Sequence, residues 1–198
     1  IIQNSLTERK AKLTARFEIY SSKAEEITIL VYGVKKEIKI NEENLSVEID
    51  FEIDYPEVWW PNGLGDQKLY TIACSLIHKD FGVQTISRKI GLKTIELRQE
   101  KDSLGKSFYF KVNGIPVFMK GANYIPLQMI ENEIDTNKYV QLVNDVTESN
   151  MNMLRIWGGG TYISEEMADL CDELGLLVWQ DFPFACMYYP DSPEWQET

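Results

Sequence analysis

The spacing of the hydrophobic residues changes near residue 100, and no other feature of the sequence restricts the fold so strongly. Up to about Gln99 the spacing is two. LTARFEIY sets Leu13, Ala15, Phe17 and Ile19 on one face, and ITILVYG does the same with Ile27, Ile29 and Val31. In LSVEIDFEI, Val47, Ile49, Phe51 and Ile53 alternate with polar residues, and LYTIACSLI and QTISRKIGLKTIEL continue the pattern. Strands turn successive side chains to opposite faces, so alternation bounded by polar breaks predicts half-buried strands. About seven such strands in roughly 100 residues predict an immunoglobulin-like β-sandwich over residues 1–100, without the Cys…Trp…Cys core of antibody domains.

Past the charged join RQEKDSLGKS, residues 101–198 keep a different rhythm. IPVFMKGANYIP is a short apolar run closed by Gly and Pro. In DTNKYVQLVNDVTESN, Tyr139, Leu142, Val143 and Val146 fall at helical spacing, with Asp135 or Thr136 as the expected cap. A second apolar run, MNMLRIWG, precedes SEEMADLCDELG, whose stripe is Met167, Leu170, Cys171 and Leu174. Ser164 is the expected cap of that helix, Glu165 and Glu166 suit its positive end, and Gly175 stops it. LLVWQDF is continuously apolar from Leu176 to Trp179, which predicts a strand covered on both faces and Trp179 in the core. Strand–helix–strand–helix–strand order predicts βα crossovers and a parallel sheet.

The glycines of RIWGGGTY invite a nucleotide-binding reading, but they lack the spacing of a dinucleotide loop and no Lys-Ser/Thr follows them as in a phosphate loop. They are expected to keep the loop low, so that a ligand can lie over the strand ends. KGANYIP, RIWGGG and WQDF each place a polar or aromatic group where an apolar run stops, and barrel enzymes build their active sites at such ends. Asn123, Arg155, Trp157 and Asp181 are therefore the candidate binding residues. For Arg155 and Asp181, contact with a ligand and a mutual ion pair are both open.

Charge and composition remove other classes. A net charge of −11 argues against nucleic-acid partners, whose phosphates require a basic face. No apolar run reaches the roughly 18 uncharged residues of a membrane span, so no membrane partner is expected. The opening IIQNSLTERK does not read as a natural N-terminus, so the lack of a basic-then-apolar leader carries no information. Three separated cysteines without a CxxC pair and a single histidine, His78, leave no metal site or cofactor expected. Cys74 and Cys171 sit on apolar faces as small core residues. Trp59-Trp60-Pro61-Asn62, with its Pro and nearby glycines, is read as an ordered loop that packs rather than as a binding platform.

WWPNGLGDQKLY, FKVNGIPVFMKGANYIP, NMNMLRIWGGGTY and DLCDELGLLVWQDFPFACMYYP resemble, in order and spacing, the β-mannosidase branch of glycoside hydrolase family two. The resemblance covers nearly all of residues 54–198, and residues 1–50 fit in pattern. It implies a sandwich followed by the first three βα units of a truncated (β/α)8 TIM barrel. It also implies a retaining exo-glycosidase that removes terminal β-D-mannose from oligosaccharides or glycoconjugates, with no cofactor, at a periplasmic, secreted or lysosomal address.

Such enzymes use two carboxyl groups about 5–5.5 Å apart. In the family the proton donor is the Glu of an Asn-Glu pair after the fourth barrel strand, and the nucleophile follows the seventh. Asn41-Glu42 falls in a sandwich turn and Asn132-Glu133 in the loop after the first barrel strand, so neither fits. Both catalytic Glu are expected beyond residue 198, and this chain alone is expected to be inactive. Other open readings are a relative acting on a β-galactoside or β-glucosaminide, and a non-catalytic carbohydrate-binding module. Three of eight barrel strands cannot close, so an exposed strand edge and self-association through it are also expected.

Overall fold

The computed structural model describes residues 1–21, 25–41, 44–127, 136–190 and 192. Glu42, the Asn132-Glu133 pair and the candidate cap Asp135 lie outside the described residues. The chain is mostly β and forms two compact units. One comprises Ile1–Trp60 and Asp66–Val117, the other Pro61–Gly65 and Phe118–Thr198. The change of unit at Val117/Phe118 thus falls after the change of hydrophobic rhythm.

In the first unit, β1 (Ile2–Leu6), β2 (Lys10–Tyr20) and β5 (Asn44–Asp54) form an antiparallel sheet in the order β1-β2-β5. A second antiparallel sheet has the order β4-β3-β6-β7, from β3 (Glu25–Val31), β4 (Val34–Ile40), β6 (Tyr70–His78) and β7 (Gly82–Ile90). The alternation explains the register. Leu13 pairs with Phe51 and Ala15 with Ile49, and all four are buried in one core with Ile27, Ile29, Val31 and Ile72 of the other sheet. On the opposite face of β2 and β5, Arg16 meets Glu48 at 2.7 Å and the Thr14 hydroxyl donates to Asp50 at 2.6 Å. Each buried side chain of this size contributes roughly 1.5–3 kcal/mol, against about 0.2–1 for an exposed ion pair, so the apolar face sets the register.

Strands β1 and β4 have no strong sequence signature because most of their residues are exposed, which leaves little buried face to impose an alternation. A small sheet of β8 (Ile95–Arg98), β9 (Tyr109–Val112) and β10 (Ile115–Val117), in the order β10-β9-β8, also belongs to this unit. The run IPVFMKGANY therefore divides: its start pairs antiparallel with β9, and its end enters the second unit.

The second unit holds β11 (Gly121–Tyr124), α1 (Thr136–Glu148), β12 (Met153–Ile156), α2 (Glu165–Leu174) and β13 (Leu177–Gln180). The strands are parallel in the order β11-β12-β13, in register at Asn123↔Arg155↔Trp179. The predicted helix stripes form the core beside the sheet: Tyr139, Val143, Val146, Met167 and Cys171 cluster with Tyr124, Leu154, Ile156 and Leu176. Ser164 caps α2 by accepting from the Met167 N–H, and Gly175 ends it at φ 81°, a left-handed conformation that glycine adopts without strain.

One expectation about this unit fails. Leu176 and Leu177 are buried, but Val178 is 37% and Trp179 41% exposed. The helix-packed core takes Leu154 and Ile156 from one side of β12, whereas Trp179 stands beside Arg155 in a cleft on the other. A continuous apolar run marks a strand, and here only half of it is covered.

Candidate functional site

The parallel register lines up residues from separate stretches of chain. Asn123 and Arg155 are direct neighbours on β11 and β12, and Asp181 is the first residue after β13. The Arg155 guanidinium joins all three. Its Nε donates to Asp181 Oδ1 at 3.3 Å, its Nη2 to Oδ2 at 2.6 Å, and its Nη1 to Asn123 Oδ1 at 3.1 Å. The Gly158 N–H adds a fourth bond, to Asp181 Oδ2 at 3.2 Å. The fork of a guanidinium matches the two oxygens of a carboxylate, so the contact fixes direction as well as charge.

Gln180 braces the same strand end. Its Nε2 donates to the Asp181 carbonyl at 2.8 Å, and its Oε1 accepts from the Ile163 N–H at 3.3 Å. The two side chains of the ion pair are 42% and 23% exposed, so the pair is neither a surface pair nor a sealed one.

Beside it lies an open cleft of about 370 Å³ lined by Met119, Gly121, Ala122, Asn123, Met153, Arg155 and Trp179. That volume is within the range of small-molecule sites, roughly 300–1,000 Å³. Its wall combines an exposed indole with amide and guanidinium groups. Such a surface can stack on the apolar face of a flat ligand and hydrogen-bond its hydroxyls.

Of the four residues singled out in the sequence, Asn123, Arg155 and Asp181 are brought together, and the ion pair left open above is present. Trp157 remains with its own loop. Its ring lies so close over Gly159 that a Cβ there would stand 2.0 Å from Trp157 Cη2. The glycines therefore clear space for the protein itself: Gly159 for Trp157, Gly158 for the Phe182 carbonyl and Gly160 for Pro126.

Trp179 is the residue that sequence reasoning missed. Its parity with Asp181 was the available signal; its register with Arg155 is visible only in the fold. Gly158 could not be found in this way, because it contributes a backbone N–H.

Trp59, Cys74 and Cys171 fall as packing predicts. Trp59 is fully buried, with Lys93 Nζ 4.2 Å from its ring centre. Cys74 and Cys171 are buried and Cys186 is exposed. Burial, with a smaller contribution from Asp172, pushes the Cys171 thiol up to about 12. His78 closes β6, where its Nε2 meets Glu25 Oε2 at 3.2 Å and its Nδ1 accepts from the Asp80 N–H at 3.0 Å. Among the described residues no group of three or more His, Cys, Asp or Glu could hold a metal.

Residues 1–93 match the sequence profile described as Glycosyl hydrolases family 2. With the sequence relatives of the whole chain, this match defines the class: the chain belongs to glycosyl hydrolase family 2. Within that family its similarity is to β-mannosidases. Beta-mannosidase B of Aspergillus clavatus is 34% identical over 204 aligned positions, covering 100% of this chain and 24% of that protein. The crystal structure of a β-D-mannosidase from Dictyoglomus thermophilum matches with a TM-score of 0.87 at 34% identity, over 99% of this chain and 25% of that one. An exo-chitosanase from Amycolatopsis orientalis shares the fold, with a TM-score of 0.74 at 24% identity over 89% of this chain and 21% of its own. The chain spans about a quarter of the length of the relatives it matches.

Proposed function

We propose that this chain is part of a retaining exo-β-mannosidase and supplies one side of the pocket that holds the terminal mannose. The observation that carries the reading is the register-aligned group of Asn123, Arg155 and Asp181 at the end of a parallel sheet. Enzymes built on (β/α)8 barrels place substrate-binding side chains at such strand ends. Here β11-α1-β12-α2-β13 corresponds to the first three strands of that barrel and the helices between them. The β1-β2-β5 and β4-β3-β6-β7 sheets correspond to an immunoglobulin-like sandwich. Among the described residues, the outer strands β11 and β13 each have one neighbour in their sheet. Their free edges are where further barrel strands, or a second copy of the chain, would pair.

The chemistry divides accordingly. Arg155 holds Asp181 in one orientation through two bonds, and Gly158 fixes the same carboxylate from the backbone. That leaves Asp181 able to accept from a sugar hydroxyl, and Arg155 with further N–H donors for another. Trp179 offers the face of its indole to the ring. A retaining mechanism needs two carboxyl groups about 5–5.5 Å apart, a proton donor and a nucleophile, and a single carboxylate cannot be both. The catalytic pair therefore belongs to other parts of the enzyme.

Incubation of this chain with 4-nitrophenyl β-D-mannoside tests the division: no nitrophenol is released above the uncatalysed rate. Release that is abolished by Glu133→Gln would overturn it. In the longer enzyme, comparison of aryl β-mannoside with the β-galactoside and β-glucosaminide decides the sugar, and mannoside has the highest kcat/KM.

A further inference from the structure

WWPNG was singled out in the sequence, and the proposed sugar site does not use it. The segment Pro61–Gly65 belongs to the second unit although it lies between strands of the first in sequence. Its hydrogen bonds explain why. Asn62 Nδ2 donates to the carbonyls of Thr147 and Met151, each at 2.9 Å. The Asn62 backbone N–H donates to the Gly175 carbonyl at 2.8 Å. Thr147 lies in the last turn of α1, Met151 follows that helix, and Gly175 ends α2. The last carbonyls of a helix have no partner within it, so outside donors must satisfy them. The Thr147 carbonyl also accepts from the Asn150 N–H at 2.9 Å, and Asn62 adds a donor there as well as at Met151 and Gly175, serving the ends of both helices.

The geometry points to Asn62 as a positioning residue, a donor clamp that ties the C-terminal ends of α1 and α2 to each other and fixes the two turns that feed β12 and β13. Both hydrogens of its amide are engaged, and its backbone N–H makes the third bond. A residue of the same shape that cannot donate would not replace it. The second unit is thus not a continuous stretch of chain: it needs residues 61–65 to complete its helix ends.

Hydrogen exchange on the whole 198-residue chain tests this with three substitutions. Asn62→Asp keeps the shape, but it sets a carboxylate against carbonyl oxygens at the negative ends of two helices. Asn62→Leu keeps the volume without donors, and Asn62→Ala keeps neither. A donor clamp predicts a loss of amide protection confined to residues 143–152 and 171–177, about tenfold for Leu and Ala alike and larger for Asp, with β2 and β5 unchanged. The Asp variant should partly recover as the pH is lowered, because the neutral acid regains one donor, and the recovery should begin above the ordinary carboxylate range since carbonyl oxygens and helix C-termini disfavour the charged form. A residue that merely fills space predicts another order: Asp and Leu retain protection, Ala alone loses it, and pH has no effect. That order, or protection unchanged in all three, overturns the assignment. If the Asp variant does not fold, the comparison of Leu with Ala still decides between the two roles.

Discussion

Arg155 grips Asp181 at two points, Nε to Oδ1 at 3.3 Å and Nη2 to Oδ2 at 2.6 Å, across the gap between neighbouring parallel strands. The carboxylate cannot turn without breaking both bonds. Orientation of this kind is what a hydroxyl-binding site requires, because the affinity of each hydrogen bond depends on where the acceptor points.

The strength of that grip can be measured. Asp181→Asn and Arg155→Gln should each lower the stability of the folded chain by about 1–2 kcal/mol, more than an exposed pair and less than a sealed one. The double-mutant cycle should return a coupling near 1 kcal/mol by urea unfolding. A coupling of zero would mean that the contact orients nothing.

Gly121 faces a backbone rather than a flexible side chain. A Cβ on it would lie 2.0 Å from the Met153 carbonyl oxygen, on the adjacent strand. Gly121→Ala should therefore cost about 3 kcal/mol or more. Gly105→Ala, where nothing stands within 4 Å, should be close to neutral. Equal effects in thermal unfolding would contradict the strand spacing described.

Gly159→Ala makes a different demand. The obstacle is the far edge of the Trp157 ring, at 2.0 Å, which can swing away. The expected outcome is a changed tryptophan emission spectrum with a stability loss below about 2 kcal/mol. An unchanged spectrum would show that Trp157 does not lie over this glycine.

How much of this was legible in the sequence depends on what each residue's pattern reports. Val47, Ile49, Phe51 and Ile53 announced a strand and its buried face, because burial on one side of a pleated strand leaves a period of two. Ser164 and Gly175 announced the ends of α2, because capping chemistry is local. Trp179 misled, since an apolar run does not tell which faces of a strand find a partner. Strand β4 went unread for a related reason: Ile40 is buried at its end, but most of the strand is exposed and imposes no alternation. The strand ends pointed to Asn123, Arg155, Trp157 and Asp181; hydrogen bonds join three of these, and Trp157 lies over its own loop instead. The hydrogen bond from Gly158 and the role of Asn62 depend on backbone atoms brought together from distant stretches, and residue types carry no trace of them.

The raised Cys171 thiol gives a pH dependence with a definite sign. Burial and Asp172 hold its proton in the folded chain up to about pH 12, whereas the unfolded chain releases it near 9. The stabilising contribution is complete below pH 9 and falls as pH rises through that window, by about 1.4 kcal/mol per unit at most. Cys171→Ala should flatten this part of the stability profile, and a profile unchanged by the substitution would contradict it. Thiol reagents at pH 8 should modify exposed Cys186 in the native chain and leave Cys171 and Cys74 intact.

The most direct test of the carbohydrate reading is an NMR titration of the 15N-labelled chain with methyl β-D-mannopyranoside. The predicted result is a weak, saturable shift of the Asn123 side-chain amide, the Arg155 Nε–H, the Gly158 amide and the Trp179 indole, all lost in Asp181→Asn. Shifts confined to Trp59 and Trp60, or none at any concentration of the sugar, would contradict it.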